Sequence, residues 1–433
     1  MSETEQRPEG GDGVTVEEPA PNGAHVDTSL PADIAADSVG GYFRLAIARV
    51  RAGESGMLPV IAGLILISIV FQAMNSNFLT AANLVNLLVQ SAVFSLLAMA
   101  EVFVLLLGDI DLSVGFVAAI SAAIMATALG PHHQWPLVAA VGAALLACAG
   151  IGLVQGSIIT RIGLPSFVVT LAGYLFWQGE LLRILGNGGS VGITNSYIND
   201  IAASSLTPAA GWIVMLVLVA VYGGLTWRRD DRRRKSGLVA PPTGVTLLKI
   251  AGALAAGVAL VLLCNTNRGV LVAITGVPYV VLLVLAVVVV WTFVLERTKF
   301  GRYIYAIGGN AEAARRAGIA VANVRTAAFV LCSFTAGIAG VVYASRLQSI
   351  STAVDGGTLV LYAVAAAVIG GTSLFGGRGR AMHGVLGGIV IAGIDNGMGL
   401  VGFTASAQYM VTALVLLAAV VIDAVARRGA ATA

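Results

Sequence analysis

Charge is scarce in this chain: Asp, Glu, Lys and Arg together make up 11% of the residues, against 58% that are hydrophobic. A soluble enzyme of ordinary composition carries about twice that charge, so a soluble globular fold is excluded. Aromatic residues are also few, at 7%, and none interleaves with a basic patch, so the net charge of +3 does not indicate a nucleic-acid partner. The three cysteines, Cys148, Cys264 and Cys332, stand singly in apolar runs without CxxC spacing and read as small core residues. Four histidines (His25, His132, His133, His383) lack partners at metal-ligand spacing, so no metal site is expected. No Gly-x-x-x-x-Gly-Lys-Ser/Thr loop occurs, which argues against ATP hydrolysis by the chain itself, and no catalytic constellation emerges. No cofactor is expected.

What is present is apolar and small. Glycine occurs 53 times in 433 residues, and the mean hydropathy is +0.90. Tightly packed transmembrane helices account for both numbers. Residues 1–40 are rich in acidic residues, Pro and Gly without apolar periodicity, and read as a disordered acidic tail. No apolar core of a secretory signal stands near the start. Residues 41–433 then read as one all-α polytopic membrane domain. Runs of about 20 apolar residues fall at 57–74, 84–107, 112–129, 136–159, 165–185, 209–227, 246–264, 277–295, 324–343, 358–375, 381–399 and 405–426. About 12 transmembrane helices, with both termini cytoplasmic, follow. Of the 25 Lys and Arg residues, only Arg183, Arg268 and Arg346 then fall outside, while Arg44, Arg49 and Arg51 precede the first run. Shifting the register by one span would reverse that bias.

Polar islands in such a chain need water or protein around them. The run Arg228–Lys235, RRDDRRRK, followed by Pro241 and Pro242, reads as a basic cytoplasmic loop over 228–245 that anchors topology. A second island, 297–323, contains RTKFGRYIYAIGGNAEAARRAGI. Asn310 can cap a short helix with Glu312 early, Arg315 and Arg316 late, and Gly318 at its end, signs that suit the helix dipole. A third is Gly108-Asp109-Ile110-Asp111-Leu112-Ser113, two carboxylates between long apolar runs. They are costly in lipid and must face water, protein or a cation. One reading is a helix break that places Asp109, Asp111 and Ser113 on a translocation pathway; the other is a structural turn in which Asp111 caps the next helix. Glu101, Glu180 and Asp395 should face the bundle interior, Asn396 beside the last of them. Asn86, Gln90, Gln155, Gln178 and Asn187 offer neutral hydrogen bonds. The Gly152/Gly156 and Gly384/Gly388 pairs permit close helix contact, most economically within one subunit.

The basic lead-in, the run Ala306-Ile307-Gly308-Gly309-Asn310, then Glu312-Ala313-Ala314-Arg315 and the closing Gly318-Ile319 resemble the coupling loop of bacterial ABC importer permeases of the ribose/xylose and branched-chain amino-acid group. Gly108–Gly115 and Gly163-Leu164-Pro165-Ser166-Phe167 with Thr170 resemble two further elements of the same group. The basic island with the extra run 246–264 is most similar to the xylose-type subgroup. The resemblance implies a multi-pass permease subunit in the bacterial plasma (inner) membrane, surrounded by its lipids and not itself an enzyme. It implies three protein partners: an ABC ATPase subunit that binds the ATP, an extracytoplasmic sugar-binding protein, and a second copy of the chain. In that scheme Gly309, Asn310, Glu312, Ala313, Ala314, Arg315, Gly318 and Ile319 meet the ATPase, and Asp109, Asp111, Ser113, Glu101 and Asn396 are pathway candidates. Xylose or a related pentose is the expected substrate, ahead of ribose and branched-chain amino acids. An ion-coupled carrier using Glu101, Asp109 or Asp111 is the competing mechanism. A fainter similarity joins Leu105–Ile124 to Ala367–Ala392, each a Gly-polar-Leu turn followed by a small-residue helix, as in transporters built from repeats.

Overall fold

A computed structural model of the chain describes residues 58–431 except 187–188 and 270–271, together with Gly40–Tyr42 and Arg44. The acidic tail up to residue 39, Arg49, Arg51 and Asn187 lie outside the described residues. Each of the apolar runs is occupied by one helix. In chain order these are α1 (Leu58–Met74), α2 (Ala81–Leu105), α3 (Val114–Leu129), α4 (Leu137–Ser157), α5 (Ser166–Leu185), a short α6 (Ser196–Ala203), α7 (Pro208–Lys235) and α8 (Thr243–Asn265). Then come α9 (Tyr279–Arg297), α10 (Lys299–Gly309), α11 (Ala311–Arg316), α12 (Val321–Leu347), α13 (Gly356–Ile369), α14 (Ala381–Val401) and α15 (Ala405–Ala431). Among the described residues, seven helices are long and apolar enough to cross a membrane and four more are shorter apolar helices.

Strictly all-α is not what forms. Ser190–Gly192 (β1) pairs antiparallel with Ser349–Ser351 (β2), Val191 opposite Ile350, and ties the segment after α5 to the end of α12. The helices α6 and α10 lie in stretches read from the sequence as connecting loop. The basic run is also not a loop. Thr207 caps α7 by accepting the Ala210 amide, Pro208 sits in its first turn, where no amide is needed, and the helix runs unbroken through Arg228–Lys235. Its buried Asp230 accepts the Thr246 hydroxyl of α8 at 2.9 Å, and Arg234 bonds both Thr246 and the Pro241 carbonyl. The charges thus close a hairpin between α7 and α8, and only the short stretch around Pro241 and Pro242 remains as loop.

Helix α2 is the axis of the bundle. Every residue from Gln90 to Leu105 is buried, as expected of a helix that is apolar on all sides. Helices α12, α13 and α14 enclose it, while α7 and α8 pack mainly on each other through Met215, Val261 and Cys264 and touch the bundle at Val85. Large side chains on the outer helices, such as Val138, Leu146, Phe176 and Ile213, are exposed as lipid contact requires.

Lipid tails are as apolar as leucine, so helices in a bilayer associate through close packing. Both glycine pairs serve this purpose inside the subunit. A Cβ at Gly384 would lie 2.6 Å from the Met99 amide, and one at Gly388 2.5 Å from that of Ser95, both on α2. Gly152 and Gly156 meet α12 in the same way, at Phe329 and Thr326. Gly388→Val should therefore destabilise the protein by at least the roughly 1–3 kcal/mol typical of overpacking. Gly399→Ala on the same helix, where nothing lies within 4 Å, should be neutral or slightly stabilising. Thermal unfolding of the two variants in one detergent checks the contrast.

Candidate functional site

Helix α2 ends at Leu105, and the chain turns over Leu106–Ser113 before α3. Gly108 takes φ +77°, which an L side chain would resist. The two carboxylates of this turn have separate fates. Asp109 receives a bidentate guanidinium from Arg325, one turn into α12, at 2.7 to 3.0 Å. Asp111 is fully buried, accepts the Ser113 amide at 2.9 Å and its hydroxyl at 2.6 Å, and lies 3.7 Å from the Cys332 thiol. Ser113 in turn bonds Gln155 of α4, and Thr170 of α5 reaches the Ile110 carbonyl at 3.3 Å. Buried Glu101 approaches the Asp111 amide with one oxygen at 3.5 Å. Its other oxygen has no partner among the described residues. So Asp109, Asp111, Ser113 and Glu101 form one polar knot between α2, α3, α4 and α12. Asp111 stabilises the start of α3 as a local amide acceptor, although Ser113 holds the cap position.

The second repeat-like turn, Gly370–Arg380, lies against the first: the Gly377 amide donates to the Leu106 carbonyl at 2.9 Å. Between them sits α10. Thr298 caps it by accepting the Gly301 amide, and Gly301, Ile304 and Ile307 form its buried face. A Cβ on Gly308 would meet the Leu106 carbonyl at 1.8 Å and the Gly377 amide at 2.6 Å, so only glycine lets α10 reach both turns. Tyr305 fastens it further through the Gly379 carbonyl, 2.8 Å away.

Helix α11 follows directly. Asn310 caps it by accepting the Ala313 amide at 2.9 Å, Gly309 is the last residue of α10, and Gly318 takes φ +82° to close the segment. Ala314 faces inward and Ile319 is half-buried, whereas Glu312, Ala313, Arg315 and Arg316 face outward. Glu312 pairs with Arg315 at 2.9 Å and Arg316 at 3.3 Å. A cavity of about 340 Å³ separates this helix from Thr160 and Arg325.

Asn396 stands apart, toward the other end of the bundle. It accepts from Asn83 at 2.8 Å and approaches Gln90 at 3.5 Å, while Gln90 donates to Asp395. Glu180 does not face the interior: it sits half-exposed on α5 beside Arg183, its ion-pair partner. Pro165 occupies the cap position of α5. Sequence reasoning missed Arg325, since nothing in a linear reading links it to an aspartate more than 200 positions earlier.

A small-residue bundle of long apolar helices, with an exposed capped helix seated on two turns, is the architecture of a polytopic membrane protein. The family model described as branched-chain amino acid transport system / permease component matches residues 83–420, and the chain belongs to that family. It is 36% identical over 373 residues to the xylose transport system permease protein XylH of Escherichia coli (strain K12), which covers 85% of this chain and 92% of that protein. The Haemophilus influenzae XylH is 34% identical over 81% of this chain and 91% of its own length. The ribose import permease protein RbsC of E. coli (strain K12) is 31% identical over 84% and 92%. No solved structure matches. The chain is thus a multi-pass protein of the bacterial inner membrane, a sugar-type ABC permease subunit and not an enzyme.

Asp109 and Arg325 together should hold α2 to α12. Asp109→Asn and Arg325→Gln should each destabilise the protein, and the double variant should cost less than their sum by about 1–3 kcal/mol. A thermodynamic cycle on thermal unfolding in detergent measures that coupling.

Proposed function

We propose that this chain is the membrane subunit of an ABC importer for a pentose, xylose first, working as a homodimer of twelve-span subunits whose termini face the cytoplasm. A separate ATPase subunit binds and hydrolyses the ATP, and an extracytoplasmic sugar-binding protein delivers the substrate. The relatives named for xylose carry the substrate assignment. Restriction of Arg and Lys to one side of the spans carries the orientation.

The observation that supports ATP-driven coupling is the seating of α10 and α11. The outward face of α11 offers Glu312, Arg315 and Arg316 to a partner, and its base is locked through Gly308 to the turns Leu106–Ser113 and Gly370–Arg380. Movement of α11 by a closing ATPase would displace both turns and, through Arg325, the foot of α12. Alternating access then follows from rigid elements repacking around α2.

The ion-coupled alternative loses one of its candidates, because Asp109 is already neutralised by Arg325. Asp111 is sealed inside the bundle, with one oxygen bonded by Ser113 and the other beside the Cys332 thiol. Only Glu101 retains an unpartnered oxygen among the described residues, and a single sealed carboxyl does not make an ion pathway.

Charge reversal at Arg315 and Arg316 together tests the coupling role. Both side chains are exposed, so unfolding should shift little, within about 1 kcal/mol for two surface substitutions. ATPase activity stimulated by binding protein, and pentose uptake into vesicles reconstituted with all subunits, should fall by tenfold or more, as for loss of an interface hot spot of about 2 kcal/mol. Undiminished uptake would refute the coupling surface. External labelling of a cysteine placed at Arg315 in intact cells would refute the orientation.

A further inference from the structure

Beyond the polar knot and the coupling helices, the bundle holds a second cavity of about 250 Å³ at the far end of α12. We propose that this cavity is a pentose site within the permease itself, where the sugar is held by Arg346, Asp395 and Tyr362 during passage. The proposal rests on the sugar-import reading above and adds a binding step inside the membrane subunit.

Its walls combine the groups that a small polyol requires. A sugar offers hydroxyls that each donate and accept, together with an apolar CH face. Carboxylates and a guanidinium meet the first, and aromatic rings the second. Tyr362 packs edge-to-face on Phe94 with ring centroids 5.2 Å apart, and its hydroxyl points toward Asp395 Oδ1 at 3.5 Å. Asp395 is a carboxylate on the inner part of α14, about two turns from its end, and such a group in a membrane helix marks a transport path by default. Gln90 holds it from α2, leaving it lone pairs for a ligand. At the mouth, Asp355 accepts from the Tyr409 hydroxyl at 3.3 Å. Partial burial works against its charge, but hydrogen bonds from Thr358 hold its carboxyl below the usual carboxylate range.

Arg346 is the informative residue. It lines the cavity and is exposed, with Asp395 and Tyr343 close enough to act on its charge, yet among the described residues it makes no side-chain hydrogen bond or ion pair within contact distance. Its guanidinium donors are therefore free for a ligand in a space large enough for roughly eight water volumes. The opposed carboxylates of Asp355 and Asp395 leave the cavity slightly negative, so an anionic substrate is disfavoured. Neutral hydroxyls match both signs at once.

The site also has a direct link to the coupling end. Arg325 and Arg346 stand at the two ends of α12, roughly 32 Å apart along a helix that rises about 1.5 Å per residue. That is the thickness of a bilayer core. A shift at the Asp109–Arg325 pair would carry the Arg346 guanidinium with it and change the sugar contacts.

Saturation-transfer NMR on the purified full chain in lipid nanodiscs, with xylose at millimolar concentration, tests the site. Xylose should show saturable transfer that ribose competes away. Arg346→Gln, whose side chain supports no described contact of the fold, should weaken it roughly tenfold, as for loss of a charge-assisted hydrogen bond. Tyr362→Phe should keep the ring and weaken binding less, and lipid-facing Val138→Ala should leave it unchanged. Absence of saturable transfer, or unaltered binding by Arg346→Gln, while the complete importer still takes up xylose, would overturn the cavity and leave the import function standing. Transfer to leucine in place of any pentose, with leucine uptake by the complete importer, would overturn the sugar assignment for both.

Discussion

The contact on which the architecture depends is backbone against backbone, with glycine removing the side chain between. A bilayer supplies no hydrophobic force to press helices together, so affinity has to come from dispersion at short range and from polar links. Gly388 and Gly384 bring α14 onto α2, Gly340 brings α12 onto α3, where a Cβ would lie 2.0 Å from the Ala118 carbonyl, and Gly115 sets α3 on the first residue of α13 at 2.2 Å. Each such approach excludes lipid and shortens the distance over which a displaced helix must push its neighbour. The same constraint explains why α2 can be buried on every side from Gln90 onward: its neighbours come close enough there to leave no lipid-facing sector. The α7–α8 hairpin, which has Gly223 and Gly257 facing Ile250 and Met215 instead of a neighbouring backbone, packs on itself and stays peripheral.

Much of this was legible in the chain because composition and local chemistry govern it. The positions of the apolar runs, the cap at Asn310, the opposed charges of Glu312 and Arg315, and the stop at Gly318 all arise from near neighbours, and each appears where the residues place it. Glycine spacing predicted close helix contact within one subunit, and Gly152, Gly156, Gly384 and Gly388 make it. Helix α10 escaped notice because its polar residues, Lys299 and Arg302, lie beside the charged island, while its apolar face, Ile304 and Ile307, is too short to read as a span. Asp230 was hidden inside a basic run, where the eye counts net charge and misses a single buried acceptor. The distant partners, Asp109 with Arg325, Asn83 with Asn396 and β1 with β2, depend on which helices become neighbours. No local pattern encodes that.

The carboxylates show how environment divides residues of one type into different roles. Asp109 and Asp111 are two positions apart, yet one faces a guanidinium and the other a serine, so one joins helices and the other shapes a turn. Asp395, on a different helix, accepts from Gln90 and Tyr362 yet lines a cavity that a ligand could enter. Motif alone would have treated Asp109 and Asp111 as the pathway and passed over Asp395. What separates them is whether the carboxyl is closed in by protein or borders open space.

Helix α12 connects these regions, and its composition explains why it can. It has no proline to kink it across Val321–Leu347, so its ends move as one body. Along its length it is held at intervals: Thr326 to Thr160 at 2.9 Å, the Gly337 carbonyl to Ser121 at 2.9 Å, and Ser345 to the Ala202 amide at 3.0 Å. These links are neutral hydrogen bonds, each worth about 1 kcal/mol net, with Thr326 also reaching the Gly156 carbonyl and Ser345 that of Asn199, so each can be exchanged while the helix remains intact. The Asp109–Arg325 pair at its foot is bidentate and largely enclosed, and is therefore the costlier link to break. A force applied at α11 then favours sliding of α12 with its foot attached over separation of the foot from the turn. In the coupling proposed above, that ordering of strengths would let a short surface helix act on the opposite end of the bundle.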